Sequence, residues 1–99
     1  MKEEGLRAFA SVVEHRHFGR AAEATFVAVS TLSRRLRTLE REVGVVLVER
    51  KSRVAVLTTG GQLFLPHARR LLLEIERADR AAARIRAASR VDAVRHGRS

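Results

Sequence analysis

The chain has 99 residues, twenty basic and eleven acidic side chains, a net charge of +9 and no cysteine, so it holds one hydrophobic core and catalysis between two lobes is excluded. Without cysteine there is neither a disulfide framework nor a thiolate metal site, which removes small secreted scaffolds and zinc fingers. A hydrophobic fraction of 45% with one proline predicts a folded, helix-rich chain, and the charge excess points toward a polyanion.

Leu6, Phe9, Ala10 and Val13 recur at helical spacing and predict a first helix that ends near His15-Arg16-His17. Phe18-Gly19 reads as a break, and Arg20-Ala21-Ala22-Glu23-Ala24 as a short helix of high propensity ending near Thr25-Phe26. Leu32, Leu36, Leu39 and Val43 then form one stripe while Arg34, Arg35, Arg37, Thr38 and Arg41 fall largely on the other faces. A third helix thus buries leucines and displays arginines, and Gly44 is placed to close it in the left-handed conformation. Val45-Val46-Leu47-Val48 and Val54-Ala55-Val56-Leu57 read as two strands around the basic tip Arg50-Lys51-Ser52-Arg53, a wing.

Thr58 or Thr59 offers the next N-cap, with Thr59 and Gln62 at capping-box spacing, and a long helix is expected from 59 to about Ala88. At 1.5 Å per residue it would be about 45 Å long, more than so small a body can cover. Phe64, Ala68, Leu71, Ile75, Ala78, Ala82 and Ile85 alternate spacings of four and three, a heptad seam that calls for a second helix. Pro66 predicts a kink or a loosened first two turns, and Gly60-Gly61 close packing of the helix against the core. Residues 89–99 lose the periodicity and read as a hinge or disordered tail.

The charge is uneven along the chain. Residues 1–33 carry four basic and four acidic side chains, residues 34–53 seven and three, and residues 54–99 nine and four. Eighteen of the twenty cations are arginine, whose planar fork grips phosphate and guanine in two-point contacts. Composition alone leaves open a coding bias toward arginine, and charge opposite a leucine stripe is also what any solvated helix shows.

Three short helices, the third studded with arginine, followed by a basic-tipped hairpin are the parts of a winged helix-turn-helix. Phe9-Ala-Ser-Val-Val-Glu14, Phe18-Gly-Arg-Ala-Ala-Glu23, Leu32-Ser-Arg-Arg-Leu-Arg-Thr-Leu-Glu40, Val43-Gly44, Leu47-Val-Glu-Arg50, Leu57-Thr58 and Leu65-Pro-His-Ala-Arg69 together resemble the amino-terminal domain of LysR-type transcriptional regulators. The resemblance runs from about Leu6 to Ile85 without insertion. It implies a mainly α fold: a winged helix-turn-helix domain over 1–58, with helices near 20–26 and 30–43 as its helix-turn-helix, and a linker helix over 59–88 through which two chains dimerise. In such regulators a ligand-sensing effector domain follows. Val94-Arg95-His96-Gly97 weakly resembles its opening strand, so the chain is expected to be an isolated DNA-binding fragment or a regulator lacking its sensor.

Where that family usually has Ser-Gln-Pro, this chain has Ala28-Val29-Ser30. Alanine cannot cap a helix, a loss of roughly 1 kcal/mol unless Ser30 takes over and starts the helix two residues later. Val29 offers only an apolar contact, best suited to a thymine methyl. Thr25 stands for a usual leucine and Val48 for a usual phenylalanine, which predicts a smaller core there. The expected DNA contacts are Val29, Ser30, Ser33 and Arg34 near base edges, Thr31 near phosphate, and Arg35, Arg37 and Arg41 on the backbone. Lys51 and Arg53 are expected in a minor groove, and Arg50 either joins them or pairs with Glu40 or Glu49. Phe64, Ala68, Leu71, Ile75, Ala78, Ala82 and Ile85 are assigned to the homodimer.

Rival readings carry less. His15 and His17 form a His-x-His pair, but two positions apart on a helix they point about 200° from one another, so neither a metal nor another cofactor nor an enzyme is expected. A basic coiled-coil adaptor and a non-specific nucleic-acid binder remain as alternatives. RNA single strands are disfavoured because at least three of the four phenylalanines read as core and there is no tyrosine or tryptophan to stack on. No run approaches the roughly 18 apolar residues of a membrane span, and Met1 is followed by Lys-Glu-Glu, so a cytoplasmic, nucleoid-associated protein is expected.

Overall fold

The computed structural model describes the backbone of residues 1–95 and the side chains of residues 1–90. The first helix, α1 (Glu3–His15), opens with Glu3 and Glu4, whose charge suits the positive end of the helix dipole. It buries Leu6, Ala8, Phe9 and Val12 and closes on Arg16 at φ 54°, whose N–H donates to the Val12 carbonyl. The next helix, α2 (Phe18–Ala24), begins two residues before the expected start, and Phe18 and Gly19 lie inside it. His17 is the reason: its Nδ1 accepts the Arg20 N–H at 3.2 Å and caps the helix. Phe18, Ala21 and Ala22 are buried against α1, and Ser11 Oγ donates to the Ala21 carbonyl at 3.1 Å across that contact.

The turn that follows ends α2 with two crossed backbone bonds. Val27 N–H donates to the Ala22 carbonyl and Phe26 N–H to the Glu23 carbonyl, both at 3.1 Å, the Schellman pattern. Its left-handed position, usually glycine, is Phe26 at φ 58°, a conformation that costs a residue with a Cβ roughly 1 kcal/mol or more. Val27 then packs on the core. Thr25, in place of a leucine, turns its hydroxyl back to the carbonyls of Ala21 and Ala22 at 2.9 and 3.2 Å.

Helix α3 (Val29–Val43) starts at Val29, with Ala28 as a cap residue that makes no side-chain bond. Ser30 does not take over the cap; it is the second residue of the helix, because the Ala28 carbonyl already accepts the Leu32 N–H at 3.0 Å. Leu32, Leu36 and Leu39 are buried, and Gly44 at φ 92° closes the helix by donating its N–H to the Glu40 carbonyl at 2.7 Å.

The wing consists of β1 (Val48–Lys51) and β2 (Val54–Leu57), antiparallel, with Val48 opposite Leu57 and Lys51 opposite Val54. The first strand therefore lies three residues later than the β-branched run 45–48 predicts. Glu40 is the cause: its carboxylate accepts the N–H groups of Leu47 and Val48 at 2.8 and 3.2 Å. Leu47 drops into the core and its carbonyl accepts the Thr58 N–H at 3.0 Å. Residues 45–47 are thus a tethered connection and not a strand. The α1–α2 loop acts as a third rung, since Ala55 N–H donates to the Arg16 carbonyl at 3.1 Å and Phe18 N–H to the Arg53 carbonyl at 3.2 Å.

Helix α4 runs Thr59–Arg95. Thr58, not Thr59, caps it: Thr58 Oγ1 accepts the Gly61 N–H at 2.9 Å and donates to the Val46 carbonyl at 2.6 Å. Gln62 is then one position too late for a capping box. A Cβ on Gly61 would lie 2.1 Å from the Leu47 carbonyl oxygen, which is why glycine stands where the helix crosses the wing. Helical backbone is continuous through Pro66 and extends past the expected end at 88, so residues 89–95 of the expected tail, including Val94 and Arg95 of the expected strand, are helical. The rest of that tail lies outside the described residues. Phe64, Leu65, Ala68 and Leu72 pack on the body; beyond them the helix projects, and the longest dimension reaches 62 Å.

Candidate nucleic-acid interface

At about 100° per residue, Ser30, Arg34, Arg37 and Arg41 fall within an arc of about 60° on α3, nearly opposite the buried Leu32, Leu36 and Leu39. All four ridge residues are exposed. Thr38 Oγ1 donates to the Arg34 carbonyl at 3.0 Å and accepts from Arg41 Nη2 at 3.2 Å, which holds Arg41 along the helix. Among the described residues no acidic group lies within 4.0 Å of the charged ends of Arg34, Arg37 or Arg41, nor of Lys51 or Arg53 at the wing tip. Their charge is left for an external anion. At the start of α3 the first-turn N–H groups have no side-chain acceptor and add a positive dipole end to the same region.

Two of the expected contacts are corrected. Ser33 is 7% exposed and cannot reach a base edge; its Oγ accepts from Arg50 Nη1 at 3.4 Å, so it braces the wing. Arg35 is turned to α1, with Nε 3.2 Å from the Glu4 carboxylate, because its position on α3 faces the α1 amino terminus. Val29 and Thr31 are half-buried, Val29 packing partly on the core. Arg50 pairs with neither Glu40 nor Glu49 among the described residues. Its guanidinium lies 4.3 Å over the Phe18 ring, a cation–π contact that orients it between α3 and the wing.

The wing tip is a two-residue turn, Ser52-Arg53, with Ser52 at φ 60°, a positive φ of the kind that matches strand twist in tight hairpins. Lys51, Ser52 and Arg53 are all exposed. The residues that position this tip, Glu40 and His17, are named in the sequence reading only as an alternative partner of Arg50 and as half of a His-x-His pair, not in this role. The only signal for Glu40 was its place on the wing-facing side of α3, in line with Ser33. Of the two histidines, His17 caps α2 and His15 Nε2 lies 4.0 Å from Glu14.

Of the expected seam, Ala68 is fully buried in the body and Phe64 packs its ring 6.1 Å from that of Phe9. Ala68 thus belongs to the protomer's own core, and Phe64 is largely spent there too, because the first turns of α4 lie on α1. Leu71 and Ile85 remain 43% and 64% exposed, with Ile75, Ala78 and Ala82 between them on one face.

A helix-turn-helix whose second helix presents an arginine ridge, beside a basic-tipped wing, defines the winged helix-turn-helix class. The profile of the bacterial regulatory helix-turn-helix proteins of the lysR family matches residues 4–62. A probable hydrogen peroxide-inducible genes activator of Mycobacterium xenopi is 51% identical over 79 residues, covering 80% of this chain and 42% of that protein. Among solved structures, a BenM DNA-binding domain in complex with catB site 1 DNA is 36% identical with a TM-score of 0.78, covering 86% of this chain and 96% of that one. A CbnR DNA-binding domain in complex with DNA is 37% identical with a TM-score of 0.76, covering 90% and 99%. The chain belongs to the lysR family of bacterial regulatory helix-turn-helix proteins. It spans less than half the length of the Mycobacterium xenopi relative.

Proposed function

We infer that this chain binds double-stranded DNA sequence-specifically as a homodimeric transcription-regulator domain, with α3 in the major groove and the wing near the minor groove. The observation that carries the reading is the ridge Ser30, Arg34, Arg37 and Arg41, its charges without acidic partners among the described residues, in a fold shared with DNA complexes. Ser30 and Arg34 are placed to meet base edges, with the exposed part of Val29 against a thymine methyl. Arg37, Arg41 and Thr31 hold phosphates, Arg50 joins them from the wing root, and Lys51 and Arg53 enter the minor groove. Dimerisation uses Leu71, Ile75, Ala78, Ala82 and Ile85, so that two copies read a pseudo-palindromic site. The domains are the winged body over 1–58 and the linker helix over 59–95. The role is regulatory rather than enzymatic, needs no cofactor, and belongs in the cytoplasm where the nucleoid is; no described helix is long and apolar enough to cross a membrane.

Fluorescence anisotropy on duplex DNA tests this. Several phosphate contacts predict an affinity falling steeply with salt, and competition with random duplex separates a specific reader from a general polycation. A flat salt response, or equal competition by any duplex, overturns it.

A further inference from the structure

Phe26 is the most exposed large apolar side chain described, at 95%, and it occupies the left-handed position of the turn between α2 and α3 at φ 58°. Glycine or asparagine would suit that backbone better, and a polar residue would suit the exposure better. The ring contributes nothing to the core cluster, which gathers Val27 and Val29 on either side but not Phe26. Strain and exposure at one residue that adds nothing to the described core are the signature of a side chain held for something outside it.

Position says what that is. Phe26 is four residues from Ser30, the first member of the arginine ridge, so at most about 14 Å of backbone separates the two. Between them lies Ala28, which leaves the first turn of α3 without a side-chain cap. The surroundings are cationic or neutral along the ridge, which favours an anionic polymer over a second copy of a +9 chain. On the major-groove face of DNA the apolar feature is the thymine C5-methyl group.

We propose that Phe26 is a specificity-determining DNA contact that packs its ring on a thymine methyl at the edge of the half-site, beside Val29. The proposal rests on the DNA-binding reading above. It replaces the hydrogen-bonded reading of a base by an apolar one at the place where α3 begins, since Ala28 and Val29 offer no polar side chain there either.

The test uses the full chain and a duplex that it selects from a random pool, read by anisotropy. Phe26→Asn suits the left-handed backbone and removes the ring; Phe26→Leu keeps an apolar group and the strain. Phe26→Asn is expected to melt at a higher temperature and to bind roughly fivefold to tenfold more weakly, while Phe26→Leu stays within about twofold. Replacing thymines of the half-site one at a time by deoxyuridine should weaken the wild type at the thymine that Phe26 meets as well as at the one that Val29 meets, and leave Phe26→Asn indifferent only at the former. Unchanged affinity of Phe26→Asn, a loss that no deoxyuridine reproduces, a lower melting temperature, or self-association of the wild type that this variant abolishes would each overturn the proposal. Arg37→Ala separates the two levels. If it weakens binding while Phe26→Asn does not, only the Phe26 contact fails; if neither weakens it, the DNA-binding reading fails as well.

Discussion

The first four turns of α4 and the rest of that helix share one heptad pattern but have different fates. Up to Leu72 the helix packs Phe64, Leu65, Ala68 and Leu72 on the body, with Ala68 fully buried and Phe64 against Phe9. After Leu72 the same alternation continues through Ile75, Ala78, Ala82 and Ile85 with no body beside it. A periodic seam therefore records that something must cover it and is silent about whether the cover is the same chain or another copy. The answer is set by length, because a helix of 37 residues is about 55 Å long and the three-helix body ends well before it does.

That contrast sets the order of expected effects. Gly61→Ala, which in an ordinary helix stabilises by up to about 1 kcal/mol, should here destabilise by about 3 kcal/mol or more, since the new Cβ meets the Leu47 carbonyl. Urea unfolding reads it, and an unchanged midpoint would mean that the helix start is not seated on the wing. Leu71→Glu lies at the border of the two regions. It should convert the dimer to a monomer in sedimentation while changing the body's own unfolding free energy by no more than about 0.5 kcal/mol; a surviving dimer would move the seam elsewhere. Ala83→Gly in the projecting region should cost about 1 kcal/mol of helix propensity, seen as faster amide exchange around residue 83 and hardly in global unfolding. Equal effects on exchange throughout the chain would show that the projecting part is as tightly coupled as the seated one.

A second contrast lies across α3. Its inward stripe, Leu32, Leu36 and Leu39, is buried as the spacing predicts, and Gly44 closes the helix as expected. The polar faces are less uniform than their sequence. Arg34, Arg37 and Arg41 point outward without acidic partners among the described residues, Arg35 pairs with Glu4, and Ser33 is covered and bonded by Arg50. One-dimensional charge density over 34–53 could not rank its members, because each arginine's availability depends on which carboxylate or ring another element brings near.

The wing makes the same point in backbone terms. The valines at 45 and 46 have high strand propensity, yet the strand begins at Val48, because Glu40 from α3 takes the N–H groups of Leu47 and Val48. The choice between Thr58 and Thr59 as the cap of α4, open in the sequence, falls on Thr58 for a related reason: its hydroxyl bonds both Val46 and Gly61.

Sequence alone determined the element order, the buried face of α3 and part of that of α1, the basic hairpin and the family, since periodicity, propensity and motif order are properties of neighbouring residues along one chain. Tertiary structure decided which arginines stay free, where the strand starts, which seam residues belong to the protomer, and that one phenylalanine stands exposed at a strained turn. Those outcomes depend on distances between residues far apart in sequence, where one carboxylate, one carbonyl or one ring decides the environment of another.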